Sequence, residues 1–267
     1  MADGAAGDRG KRSFILKNMQ IGLIGAGNMA GALARGWGEP VLVHDAFAPR
    51  AEALVAELGG EVVASNAELA QRADVIVLCH KPAGLERVAS EVGGGARGVI
   101  SILGGVPLSA LKAAYGGTPV VRMLPSVPVE VRQGVSCHAR DADDDAELTA
   151  QALELFGRVG PVFTVDEGQI DVAMGVMSCA PAYVALVAEA QVDSAVRAGL
   201  PADVAGELVA ANLAGTAALL QARGMDTLTV RRSVTSPGGS TARGLAALEH
   251  GGIRAAFDDA MQAVLAR

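Results

Sequence analysis

Two short clusters in this chain hold residue types whose spacing can do chemistry. In IGLIGAGNMAGAL, Gly25, Gly27 and Ala30 stand in a G-x-G-x-x-A pattern, directly after an apolar strand-like run and at the opening of a helical one. Gly25 permits a tight turn, Gly27 lets the backbone approach a pyrophosphate, and Ala30 allows close helix packing. The free N–H groups of the helix start favour an anion, so Gly25, Ala26, Gly27, Asn28, Met29 and Ala30 are candidates to bind a dinucleotide. An ordinary glycine turn is the competing reading, and the agreement of strand, spacing and next strand weighs against it. Asp45 follows Gly25 by twenty residues at the end of the second strand, where a carboxylate meets adenosine ribose hydroxyls and repels a 2′-phosphate. NADH is therefore favoured over NADPH, with Arg50 close by as an opposing cation and helix capping near Pro49 as the other role open to Asp45.

The second cluster is Ser236-Pro237-Gly238-Gly239-Ser240-Thr241, a tight turn leading into a helix through about Glu249. Its hydroxyls and backbone N–H groups can converge on a carboxylate; taken alone it is equally a Pro-Gly loop with a Ser/Thr helix cap. His44 and His80 end strands near the presumed cofactor face, where solvated or hydrogen-bonded spectators are the plainer reading. Cys79, Cys137 and Cys179 are far apart, odd in number and without a CxxC, which points to a reducing cytoplasm and no metal site. The acidic run Asp141–Asp145 lacks calcium-loop spacing and reads as the charged start of a helix through Phe156.

The elements that must position these clusters fall into two halves. From Gln20 to about Val165 apolar runs alternate with helical patterns in the rhythm of repeated βαβ units, giving strands near 20–25, 41–45, 61–63, 74–79, 98–102, 120–123, 135–138 and 162–165. After Asp166 only Ala-rich helical segments follow, at 169–198, 202–223 and 251–267. The expected architecture is α/β: a Rossmann-type, mostly parallel sheet domain over 19–166, then an all-α domain over 167–267, with 1–18 as a flexible tail. Of the 267 residues 51% are hydrophobic, enough for a substantial core, and the net charge of -7 argues against nucleic-acid partners. No apolar run reaches the roughly 20 uninterrupted residues of a membrane span, so no membrane partner is expected.

IGLIGAGNMAGAL, CHKP (79–82), SILGGV (101–106), RMLPSVP (122–128), APAY (180–183) and above all VTSPGGSTARGLAALEHGGIRAAF (234–257) together resemble the pyrroline-5-carboxylate reductase family, over nearly the whole chain beyond the tail. The resemblance implies hydride transfer from NAD(P)H to the C=N bond of 1-pyrroline-5-carboxylate, the last step of proline biosynthesis. It implies that Thr241 hydrogen-bonds the imine nitrogen and that Ser236, Gly238, Gly239, Ser240 and Thr241 hold the substrate, with Met177, Ser178 and Cys179 beside them. It places Asn66 near the adenosine half of the cofactor and adds His80, Lys81, Pro82, Gly104 and Gly105 to the cofactor-binding set. A homo-oligomer is implied too: interlocked dimers sharing the active site between one protomer's sheet domain and its partner's helices, in some members built into decamers.

The chain departs from the family pattern at the entrance to the helical half. Where members carry Ser-Gly-Ser-Gly-Pro-Ala-Tyr, it reads Met177-Ser178-Cys179-Ala180-Pro181-Ala182-Tyr183, losing two permissive glycines and gaining a bulky apolar residue. Ser126 also replaces a common Asn, and Gly224 sits where some relatives carry an acidic residue. A reductase of another cyclic imine or of a 2-keto acid, or a dinucleotide-binding paralogue without chemistry, are the alternative functions.

Overall fold

Alternation along single strands determines how the sheet is covered. The structure, a computed structural model, describes residues 19–266; the segment 1–18, expected as a tail, lies outside them. On β4 (Val75–Leu78), Val75 and Val77 join Leu33, Trp37 and Phe156 in one core cluster, whereas Ile76 and Leu78 join Leu69, Val88 and Leu111 in a second. A strand with period-2 side chains that is apolar at every position must be buried on both faces, as this one is.

Eight strands form one sheet in the order β3-β2-β1-β4-β5-β6-β7-β8. They are β1 Ile21–Ile24, β2 Val41–His44, β3 Gly60–Val62, β4, β5 Val99–Ser101, β6 Val120–Pro125, β7 Ser136–Arg140 and β8 Val162–Asp166. All neighbours pair in parallel except β6 and β7, which run antiparallel. The chain order reverses around β1, whose neighbours are β2 and β4, and open α/β sheets bind ligands outside the carboxyl ends of such strands. The covering helices are α1 Asn28–Trp37, α2 Ala48–Leu58, α3 Asn66–Arg72, α4 Leu85–Val92, α5 Leu108–Tyr115, α6 Ala146–Gly157 and α7 Ile170–Met177. The acidic run ends as expected: Asp145 caps α6 by accepting the Leu148 N–H at 2.8 Å.

By packing, the residues up to Cys179 form one compact unit and those from Ala180 a second. The reason is an anchor of buried charge. Arg122 on β6, 5% exposed, donates to Glu167 Oε1 at 3.0 Å, and the same oxygen accepts the Leu108 N–H at 2.5 Å. With Ile170 and Met177 in a third core cluster beside Leu124 and Cys137, the whole of α7 belongs to the sheet unit. The helical pattern expected over 169–198 is accordingly two helices, broken at Ser178–Cys179.

The second unit holds α8 Ala180–Arg197, α9 Ala202–Ala222, α10 Thr227–Ser233, α11 Ser240–His250 and α12 Ile253–Leu265. Ala205 is the sole buried residue among these helices, while Leu186, Leu208, Leu228, Leu248 and Phe257 are exposed. Two stretches, Glu167–Arg197 and Ala202–Ala222, are long and apolar enough by length and composition to cross a membrane, with 17% and 6% of their apolar windows buried. The expectation above was drawn from uninterrupted runs, whereas this measure of length and composition tolerates sparse charges and runs across the break at Ser178–Cys179.

Candidate active site

The first turn after β1 is fixed by two constraints on one residue. Gly25 has φ +101°, and a Cβ there would stand 2.9 Å from the backbone of Cys79 and His80 at the end of β4. Gly27 instead caps α1 with extended backbone and has no heavy atom within 4 Å of where a Cβ would be. This open room at a helix N-terminus is what a diphosphate requires. Ala30 is fully buried, as close packing of α1 demands.

A cleft of about 440 Å³ opens over this turn, lined by Gly25, Gly27, His44, Asp45, Asn66, Cys79, His80 and Lys81 among others. The expected cofactor residues Gly25, Gly27, Asp45, Asn66, His80 and Lys81 are thus brought together. Ala26 and Asn28 line an adjoining depression with Arg50, whereas Gly104, Gly105 and Pro82 lie outside the cleft's lining. Sequence reasoning did not single out Arg87 and Val88 of α4 or Gly84, which caps it, and these line the wall on that side. Their signal is weak because they are one turn of an otherwise ordinary helix start.

Three side chains set the polarity of the cleft. Asp45 caps no helix; its Oδ2 accepts the Ala26 N–H at 2.7 Å and its Oδ1 the Phe47 N–H at 2.8 Å, tying the glycine turn to the end of β2. Each oxygen keeps a lone pair for a further donor. His80 Nδ1 lies 2.8 Å from the Lys81 carbonyl, which can only accept, so Nδ1 carries the proton and Nε2 is an acceptor. Burial pushes the His80 imidazole pKa down, keeping it neutral, and Nε2 is buried without a hydrogen-bond partner among the described residues. Asn66 Oδ1 is in the same condition. The Cys79 thiol is pushed far up by burial and stays protonated.

Beyond the cleft, the altered Met177–Ala180 segment carries no left-handed residue. Ser178 is in the right-handed helical region, so the missing glycines leave no strain there. Met177, expected to face substrate, is 8% exposed and packs in the core with Leu108 and Ile170; the face that α7 turns to the sheet takes it inward. The Ser178 hydroxyl donates to the Pro125 carbonyl at 3.1 Å, pinning the segment to the carboxyl end of β6. Ser126 is engaged as well, since its hydroxyl accepts the Val135 N–H at 2.9 Å.

In the helical unit the Ser236–Thr241 turn is shaped by its glycines. Gly238 has φ +69°, and a Cβ on Gly239 would meet Ser236 Oγ at 2.4 Å. Gly239 caps α11, leaving Ser240 and Thr241 exposed in its first turn. Arg243 reaches back to the Gly238 carbonyl at 2.7 Å and to Ser240 Oγ at 3.2 Å, bracing the turn. An anion is the ligand such a helix start attracts.

Comparison with known proteins gives this geometry a family. A model described as pyrroline-5-carboxylate reductase dimerisation matches residues 167–267, and one described as NADP oxidoreductase, coenzyme F420-dependent, matches 20–105. The chain is 35% identical to a pyrroline-5-carboxylate reductase of Synechocystis sp. over 94% of its own length and 97% of that protein. The chain belongs to the pyrroline-5-carboxylate reductase family. A second relative, from the archaeon Methanosarcina acetivorans, is also 35% identical, over 92% of this chain and 95% of its own. A solved 1-pyrroline-5-carboxylate reductase of Streptococcus pyogenes superposes with a TM-score of 0.83 at 25% identity, covering 92% of this chain and 96% of the other. The protein is accordingly an NAD(P)H-dependent oxidoreductase. The cleft has the room and the helix start that a dinucleotide needs, and a helical unit with one buried residue in its helices fits the dimerisation named by the model that matches it.

Proposed function

We propose that this reductase converts 1-pyrroline-5-carboxylate to proline, with the Ser236–Thr241 turn holding the substrate carboxylate. The observation that carries the reading is the shape of that turn, which the positive φ of Gly238 and the close approach of Gly239 to Ser236 set in front of α11. Reduced nicotinamide supplies the hydride, which adds to the imine carbon while the C=N π pair moves to nitrogen. A protonated imine is already a good acceptor, so the protein's part is orientation and charge matching rather than strong acid catalysis. The N–H groups of Gly238 and Ser240 and the hydroxyls of Ser236 and Ser240 bind the carboxylate, Gly239, whose own N–H donates to the Ser236 carbonyl at 3.0 Å, lets the substrate approach, and the Thr241 hydroxyl hydrogen-bonds the nitrogen. Cys179 and Ser178 are proposed as neighbours of the ring; no chemistry is asked of either. With NADH carrying deuterium at both C4 positions, deuterium should appear at the former imine carbon of proline; its absence in the product would refute the reading. Thr241→Ala should lower kcat/KM for the imine about tenfold, the worth of one hydrogen bond, with the cofactor Kd unchanged. An equal loss of cofactor affinity would contradict the assignment.

NADH is proposed as the preferred cofactor, because the Asp45 carboxylate, held in the cleft by two backbone N–H groups, stands at the end of β2 where such a group meets the adenosine ribose hydroxyls and repels a 2′-phosphate. Arg50 lines the same cleft and works in the opposite direction. Asp45→Ala removes the tie to Ala26 for both cofactors alike, so the ratio of affinities isolates the charge. That ratio should move about tenfold towards NADPH. A move towards NADH would overturn the preference.

Gly25, Ala26, Gly27, Asn28 and Met29 are proposed to bind the diphosphate, with Asn66, His80 and Lys81 along the rest of the cofactor; Pro82, Gly104 and Gly105 remain candidates at the carboxyl ends of β4 and β5. The helical domain is proposed to dimerise through the exposed faces that include Leu186, Leu208 and Leu248, which would also account for its span-like helices without a membrane. A decamer of five such dimers is the larger assembly that the family resemblance implies. Three free cysteines support a reducing, cytoplasmic setting.

A further inference from the structure

Asn66 opens α3 at a position set by local hydrogen bonding. Ser65 Oγ accepts the Glu68 N–H at 3.1 Å, and the Glu68 carboxylate accepts the Ala64 N–H at 3.0 Å, so the start of the helix cannot slide. The Asn66 side chain is 4% exposed and lines the cofactor cleft. Its Nδ2 donates to Glu91 Oε2 at 2.6 Å, and the other Glu91 oxygen accepts Arg87 Nη1 at 2.6 Å. Arg87 first, then Asn66, holds the Glu91 carboxyl below the usual carboxylate range, so it remains an acceptor.

An ionised carboxylate can only accept, so Glu91 must face the NH₂ of Asn66 and never its carbonyl. The amide is thereby held in one of its two orientations, with Oδ1 turned away from Glu91. That oxygen is buried without a partner among the described residues, a condition folded proteins avoid unless a ligand completes the bond. We propose that Glu91 is a positioning residue for cofactor binding: it orients Asn66 so that Oδ1 accepts a hydrogen bond from the adenosine half of NAD(P)H. This rests on the reading of the cleft as the cofactor site. The adenosine half offers two donors of the required kind, the exocyclic amino group and the ribose hydroxyls. A purely structural role explains less, because Glu91 lies on the exposed side of α4 and its i,i+4 pair with Arg87 forms without Asn66.

Glu91→Gln tests this with little change of shape, because Gln both donates and accepts and so lets the Asn66 amide turn over. In the full chain, calorimetric titration with NADH should show Kd rising about fivefold in Glu91→Gln and at least as much in Asn66→Ala. In the Asn66→Ala background, Glu91→Gln should add nothing, and in steady state KM for the cofactor should rise while kcat holds. With reduced nicotinamide hypoxanthine dinucleotide, which lacks the amino group, loss of the Glu91→Gln penalty names the amino group as donor and its persistence names a ribose hydroxyl. An unchanged Kd in Glu91→Gln beside a weakened Asn66→Ala overturns the positioning role alone. An unchanged Kd in Asn66→Ala overturns the adenosine-side reading as well, and an equal Glu91→Gln penalty with Asn66 already removed shows that Glu91 acts by another route.

Discussion

Gly27→Ala should leave the melting temperature of the reductase unchanged and weaken NADH binding about 100-fold. The first half follows from space: nothing lies within 4 Å of the added methyl, and the extended backbone at Gly27, φ -76° and ψ -175°, is open to any residue. The second half follows from where that space is. The methyl would stand at the N-terminus of α1, between its N–H groups and the diphosphate proposed to bind there. Displacing an anion from charge-assisted hydrogen bonds worth about 1.5–3 kcal/mol each removes roughly two powers of ten in affinity. Calorimetric titration beside a thermal melt reads both halves. A methyl that binds NADH like wild type would mean the diphosphate does not approach here, and a large fall in melting temperature would mean the space is not free.

Gly25→Ala should fail in the other way, by losing the fold around the site. Alanine at φ +101° is strained, and its methyl would meet the Cys79–His80 backbone at 2.9 Å, atoms at the end of a central strand that cannot swing aside as a side chain can. Left-handed strain and overpacking together cost about 2–5 kcal/mol, which lowers the melting temperature of a unit of this size by roughly 10 °C. Because β1 and β4 would separate at the point proposed to hold the cofactor, NADH affinity should fall as well. Two glycines two residues apart are thus expected to give opposite pairs of readouts, stable but blind to cofactor at 27, destabilised at 25.

That contrast marks what was legible in the sequence. The need for glycine at both positions lies in a spacing of a few residues, and strand, turn and helix follow each other without a break, so local pattern suffices. All eight strands and the helical second half were legible for the same reason, since period and composition are local properties. Asp45 was legible by its offset but not in its work, because its bond to Ala26 spans β1 and β2 and appears only when the two strands are side by side. The packing of Met177 was not legible because the direction of a helix face depends on what packs against it, and the Arg122–Glu167 pair that docks this segment joins residues 45 positions apart. Glu91 gave no signal at all. In sequence it pairs with Arg87 as any surface helix residue does, and its bond to Asn66 crosses between two helices.

The loss of the two family glycines weighed towards another substrate in the sequence, and here the structure narrows the difference. Met177 is core and Ser178 is pinned to Pro125, so the substituted segment changes its packing more than it changes groups available to a ligand. The central claim is therefore a specific one, a reductase of the five-membered imine, and a steady-state assay tests it most directly. Purified full-length protein is mixed with NADH or NADPH and, separately, with 1-pyrroline-5-carboxylate, its six-membered homologue and a 2-keto acid. The account predicts oxidation of the cofactor with the five-membered imine, at a kcat/KM above that for the other two, with proline as product. No turnover of 1-pyrroline-5-carboxylate with either cofactor, or faster turnover of another substrate, would contradict it.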